Sequence, residues 1–449
     1  MIGGLWKSTS TAALFAAAGL FVGGVAMPSA KAADLGGDCC ADLEERVAEL
    51  EATTARKGNR RMSLTVSGQV TRSILYWNDG DRSDVYAGLD QHPQSSRFTF
   101  SGAAKISPNL TAGFELMTEW TGAGRTSTVD QRTPDQFTTT ATVVAAGADG
   151  ALAIRTANWY LEDKTLGRVT VGRLDLRGPV ATIDLGGIST VASASPALVG
   201  GGFVVDGSGD FAGGTRLGAL VGPSYGGDRG EGVRWDSASL AGFVLQASWA
   251  EDDVWTASIR YAGEFSGFRV AAGIGYLDQR DTVDGGADPV QLDTGARNVD
   301  HEWSGSLAVM HVPSGLFVQG HYAQAEFFNG TDANIWLVQA GITKNWFGLG
   351  NTSIYGEYGE AQDYIKSGPA NSSALYPDPT AAGIFAAGSS QVDFYGIGVV
   401  QQIDAAAMEL FLGWRRYESS ISGLGAGTTG FENGSSELDL VTGGARIRF

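Results

Sequence analysis

The chain has 449 residues, with 31 Lys and Arg against 49 Asp and Glu and a formal charge of −18, which excludes a general affinity for nucleic acid. Its 65 glycines accompany 11 Trp, 13 Tyr and 20 Phe, yet mean hydropathy is near zero. A soluble chain of this length buries continuous apolar runs, whereas a membrane β-barrel needs an apolar residue only at every second position of each strand.

Lys7 is the only charge in the first thirty residues, and TAALFAAAGLFVGGVA follows at 11–26. With the small residues Ala30 and Ala32 before a cut, residues 1–32 read as a secretory signal. Removing Lys7 and Lys31 leaves 29 basic residues against 49 acidic ones, a mature charge of −20. No other apolar run reaches the roughly eighteen residues of a helical span.

Residues 33–60 form a separate periplasmic segment ahead of a barrel at 61–449. Within it Cys40, Leu43, Val47, Leu50 and Thr54 follow three-four spacing, with Glu44, Glu45, Arg46, Glu49 and Glu51 outside the seam. Two heptads cannot hold a helix alone in water, so the expectation is a short coiled coil at 38–57, held only where a trimer of barrels brings three chains together. An unpaired thiol is unfavourable in an oxidising compartment. If Cys40 lies on the seam, Cys39 of one chain reaches Cys40 of the next, and an interchain disulfide is expected.

From there the period is two. LTVSGQVTRSILYW (64–77) sets Leu64, Val66, Gly68 and Val70 against Thr65, Ser67, Gln69 and Thr71. RFTFSGAAKI (97–106) and LTAGFELMTEW (110–120) alternate likewise, with Arg97, Glu115 and Glu119 on polar faces. Further strands are expected at 153–162, 168–174, 231–238, 242–250, 255–261, 268–276, 300–311, 316–326, 334–344, 351–361, 391–402, 407–418 and 437–449, sixteen in all. Alternation is poor in 391–402 and 407–418. Short turns alternate with long stretches near 78–96, 121–152, 175–230, 279–298, 327–333, 362–390 and 419–436, except for a short connection near 251–253. Every proline after the signal falls in a proposed turn or loop, as the ladder requires. Trp77, Trp120, Trp159, Trp249, Trp303 and Trp336 lie toward strand ends, where interfacial girdles form. The fold class is therefore an all-β, sixteen-stranded antiparallel transmembrane barrel.

The last strand, ELDLVTGGARIRF (437–449), puts Val441, Gly443, Ala445, Ile447 and Phe449 on one face and Thr442, Gly444, Arg446 and Arg448 on the other. This ending, LGRVTVGRLD at 166–175, and the N-terminal CCADLEERVAELEATTARKGNRRMSLTVSGQV together resemble alphaproteobacterial outer-membrane porins of the general diffusion type. The resemblance implies a homotrimer in outer-membrane lipid and lipopolysaccharide. It implies a terminal Phe449 read by the barrel-assembly machinery, and a third long loop folded into the pore. It also implies an Ala33-Asp34 start that can be coupled to peptidoglycan.

The loop at 175–230 is long enough to demand a function, and sixteen strands enclose a channel too wide to discriminate unaided. Its Asp184, Asp206 and Asp210, facing Arg97, Arg168, Arg234 and Arg260 on the polar strand faces, are the expected constriction. Such opposed charges set up a transverse field that hinders apolar solutes. The expected function is passive diffusion of small hydrophilic solutes with mild cation preference. A substrate-specific channel for a polar nutrient and a barrel hydrolase are the alternatives. His92, His301, His311 and His321 lack metal-ligand spacing, and no nucleophile elbow or phosphate loop occurs. Catalytic, cofactor and metal sites are accordingly not expected.

Overall fold

A computed structural model describes residues 62–121, 124–133, 152–205, 215–222, 229–250, 254–279, 299–327, 331–367, 388–422 and 434–449. The signal, the coiled-coil segment with Cys39, Cys40, Leu43, Val47 and Leu50, and the loop residues Asp206 and Asp210 lie outside these residues.

The strands are β1 (Thr65–Asn78), β2 (Ser83–Asp90), β3 (Arg97–Lys105), β4 (Leu110–Trp120), β5 (Leu152–Asp163), β6 (Gly167–Asp175), β7 (Arg229–Asp236), β8 (Phe243–Ala250) and β9 (Val254–Phe265). They continue as β10 (Phe268–Gln279), β11 (Val299–His311), β12 (Leu316–Phe327), β13 (Asp332–Lys344), β14 (Thr352–Gln362), β15 (Ser389–Ile403), β16 (Met408–Ser422) and β17 (Gly434–Arg448). From β3 to β17 each strand pairs antiparallel with the next, and β17 returns to pair with β1, closing the sheet. β3 pairs with Thr65–Gln69 of β1 and β2 with Arg72–Asn78. These two segments are the halves of one stave, so the closed barrel has sixteen staves.

That broken stave corrects one expectation. The stretch 78–96, read as a loop, holds β2 and a short 3-10 turn at His92–Gln94. The break is held by polar contacts: Gln69 Nε2 donates to the carbonyls of Gln94 and Ser95 at 3.0 and 2.9 Å. The Asp90 carboxylate accepts the Ser96 N–H at 2.9 Å. SDVYAGLD has too little alternation to announce a strand.

The outward face carries Val66, Val70, Ile74, Leu245, Ile397 and Leu412, the apolar band that lipid demands. Trp159, Trp249 and Trp303 are exposed on the same face. Trp77 is not: it turns inward, is 2% exposed, and packs 5.4 Å from the ring of Phe203. Inside the barrel, residues of both wall and loop form an apolar core that includes Leu75, Phe203, Leu217, Leu337, Phe394 and Leu440.

Candidate pore constriction

After β6 the chain turns into the barrel and follows the inner wall. Gln246 of β8 and Thr256 of β9 donate to the Leu176 carbonyl. Ser306 of β11 bonds the Val180 carbonyl at 2.7 Å, and His321 of β12 bonds that of Ala181 at 2.8 Å. Thr343 and Ser353 converge on the Gly186 carbonyl at 3.0 and 2.7 Å. Gln339 takes the Ala192 carbonyl, and Ser419 of β16 takes that of Val205. The loop then meets the segment after β4, where Thr126 bonds the Leu198 carbonyl and Gln131 that of Val204. A backbone that leaves a sheet must have its polar groups satisfied when buried, and here polar wall side chains do this. Gly200, at φ +86°, lets the loop pass close to the wall: a Cβ there would lie 2.4 Å from Leu440 Cδ1.

Two devices fix the loop. Asp184 is 3% exposed, and its carboxylate accepts the N–H groups of Gly187, Ile188 and Ser189 at 2.8–2.9 Å and Gln319 Nε2 at 3.2 Å. Behind it runs a buried polar chain across β12, β13, β14 and β16. Gln319 bonds Gln339 at 2.8 Å, Gln339 bonds Glu357 at 2.9 Å, and Arg415 grips Glu357 at 2.7 and 2.8 Å. Arg415 also reaches the Ser193 carbonyl, and the Tyr417 hydroxyl lies 3.0 Å from that of Pro196.

Of the residues expected at the constriction, two bond one carboxylate and a third stands opposite it in the ladder. Arg234 Nε and Arg260 Nη2 each bond Asp236 at 2.9 Å, and Arg168 is paired with Asp236 across the ladder from β6 to β7. The Arg168 guanidinium also stacks 3.4 Å from the Tyr160 ring centre. Arg97 stands apart on β3, where its guanidinium donates to Gln94 Oε1. Asp184 lies in the loop, occupied by its own turn.

Two similar groups were not singled out by sequence. Glu119 bonds Arg155 at 2.5 Å and lies 3.7 Å from Arg125. Glu409 bonds Arg446 at 2.6 Å and Arg448 at 3.1 Å. Glu119, Arg446 and Arg448 fall on polar faces of alternating strands, so a signal existed for them. Arg155 sits at a register shift between β4 and β5, opposite Met117 and Thr118, where alternation fails.

A closed sixteen-stave barrel with short turns at one end and a loop pinned inside it is a porin architecture. A family model for Gram-negative porins matches residues 11–422. The chain belongs to that family, a multi-pass β-barrel of the outer membrane. No curated protein matches it. Among solved structures, it is similar to an anion-selective porin from Comamonas acidovorans at 14% identity and a TM-score of 0.50, covering 86% of this chain and 100% of that one. It is also similar to Salmonella typhi OmpF in complex with daunomycin at 14% identity and a TM-score of 0.47, covering 87% of this chain and 98% of that one.

Proposed function

We propose that the protein is a passive diffusion channel for small hydrophilic solutes, narrowed by the loop after β6. The observation that carries this reading is the loop itself. It lies along the inner wall from β8 to β16, fixed by Asp184 and by Arg415 with Glu357, while arginine–carboxylate groups face inward beside it. A loop clamped this way narrows the passage permanently, so transport needs no moving gate. Loop residues Asp206 and Asp210 belong to the same constriction in this reading.

The assembly is a homotrimer, tied at its periplasmic end by the coiled coil at 38–57 with Leu43, Val47 and Leu50 on the seam. Cys39 and Cys40 form disulfides between chains. The barrel is inserted by the assembly machinery through Phe449, sits among lipopolysaccharide, and contacts peptidoglycan through the mature N-terminus. The selectivity of such a channel is set by the charges facing its lumen rather than by the net charge of the chain. Swelling of liposomes containing the purified protein in sugars of increasing size tests the proposal. Swelling that falls with solute size supports it; no swelling in the smallest sugar rejects it.

A further inference from the structure

We propose that the constriction prefers amphipathic solutes, small molecules with one apolar side and one hydrogen-bonding side, over uniformly hydrophilic ones. This rests on the channel reading above and deepens it by naming the class of solute. The observation is that the loop stretch 176–205 offers the lumen no charge. Its two charged residues are Arg177 and Asp184, and both are buried, at 0% and 3%. Arg177 is bound to Glu302 and Ser304 of β11 at 2.9 Å each, and Asp184 serves its own turn.

What this stretch exposes, it exposes to the lumen, because it lies inside the barrel. Pro179, Ile183, Leu185 and Leu198 are half-buried there, accompanied by the hydroxyl-bearing Thr182 and Ser189. The stretch follows β8 to β16, so the wall across the opening is β3–β7. The inward faces of that wall carry Glu115, Arg155, Tyr160 and Arg168, all half-buried. A solute in the gap therefore meets apolar edges on one side and carboxylate, guanidinium and phenol groups on the other.

A field that hinders apolar solutes needs opposite charges facing each other, and this stretch supplies none. An apolar group that displaces water beside Ile183 and Leu185 gains free energy with the area it covers. A hydroxyl placed there gives up hydrogen bonds to water without a partner in return. Asp206 and Asp210 follow Val205, whose N–H donates to the Thr215 carbonyl at 2.8 Å and whose own carbonyl is held by Ser419, near the end of β16. Their part in solute choice is tested separately from that of 176–205.

The test is swelling of liposomes that hold the full chain in two neutral solutes, phenyl glucoside and N-acetylglucosamine, with protein-free liposomes as the blank. Neutral solutes take the sign of the lumen charge out of the comparison. Phenyl glucoside should enter faster although it is the larger molecule. Ile183→Ser with Leu198→Ser should abolish that lead and leave N-acetylglucosamine entry nearly unchanged. Asp206→Asn with Asp210→Asn should keep the lead. Equal or slower entry of phenyl glucoside in the unaltered protein overturns the preference, a result that depends on no variant folding. A lead that survives Ile183→Ser with Leu198→Ser, or is lost with the two aspartates, overturns its assignment to 176–205. Channels that pass both solutes without a lead leave the porin reading standing, whereas no swelling in either removes that reading and this one with it.

Discussion

Phe449 closes the barrel on Gly68: its N–H donates to the Gly68 carbonyl at 3.1 Å, and its own carbonyl accepts the Gly68 N–H at 2.9 Å. The Phe449 ring occupies the space a side chain at Gly68 would need, with Cζ 2.6 Å from where a Cβ would stand. The Arg97 carbonyl is 2.7 Å from the same point. A ring can swing aside, but a ladder carbonyl cannot. Gly68→Ala should therefore destabilise the barrel by about 1–3 kcal/mol, the usual penalty for overpacking, seen as a lower urea midpoint.

Deleting Phe449 removes both ladder bonds and the contact with Phe98, whose ring lies 5.9 Å away. The folded fraction on semi-native gels should drop sharply. Arg448→Gln leaves Glu409 with Arg446 and should cost much less. Equal losses would show that Phe449 has no special part in closure.

Asp184→Ala strands the N–H groups of Gly187, Ile188 and Ser189. Each hydrogen bond to a carboxylate contributes roughly 1.5–3 kcal/mol, so the loop should loosen while the barrel stays closed. The expected record is larger and noisier single-channel current with an unchanged strand signal in circular dichroism. A quiet channel of unchanged conductance would mean the loop is held by its other contacts alone.

Arg415→Ala leaves Glu357 buried without its cation; the pair's side chains are 6% and 1% exposed. Breaking one side of a buried pair typically costs about 3–5 kcal/mol. The double change Arg415→Met with Glu357→Leu should cost less than Arg415→Ala alone, since no charge is stranded. Thermal unfolding of the two variants checks the order.

In mild detergent the protein should run as a trimer, and on non-reducing gels boiled samples should show species joined through Cys39 and Cys40. Cys39→Ser with Cys40→Ser should abolish the joined species and leave the detergent-extracted trimer in place. A homogeneous monomer would dispose of the trimer.

Alternation displayed the staves where one face meets lipid and the other meets polar groups, as in β1 and β8. It faltered in β15 and β16 for a physical reason. Val392, Phe394, Val400, Phe411, Tyr417 and Ile421 face inward and are buried, while Ile397, Leu410 and Leu412 face outward. Both faces of those strands are apolar because the inward loop covers one of them, and a strand covered on both sides reads as a continuous apolar run. Trp77 was misplaced for the same reason, since Phe203 gives it an apolar interior site. The loop's length announced a functional segment, and the resemblance to porins implied its inward excursion. Its attachment did not show, because Asp184 and Gln319, or Ser193 and Arg415, become neighbours only when the barrel closes.

Those attachments also dictate an order of events during biogenesis. The bond from Gln246 to Leu176 spans 70 positions, and that from Arg415 to Ser193 spans 222. Contacts so distant in sequence form slowly, and the loop's apolar side chains, Leu176, Val180, Leu217 and Leu220 among them, have no wall to cover them until β8–β16 are laid down. An unfinished chain thus carries a greasy segment as well as unpaired strands, the kind of species that aggregates. Docking of the loop is therefore expected only after β8–β16 have paired, and a chaperone that shields this segment is expected to matter to yield as much as one that shields the strands.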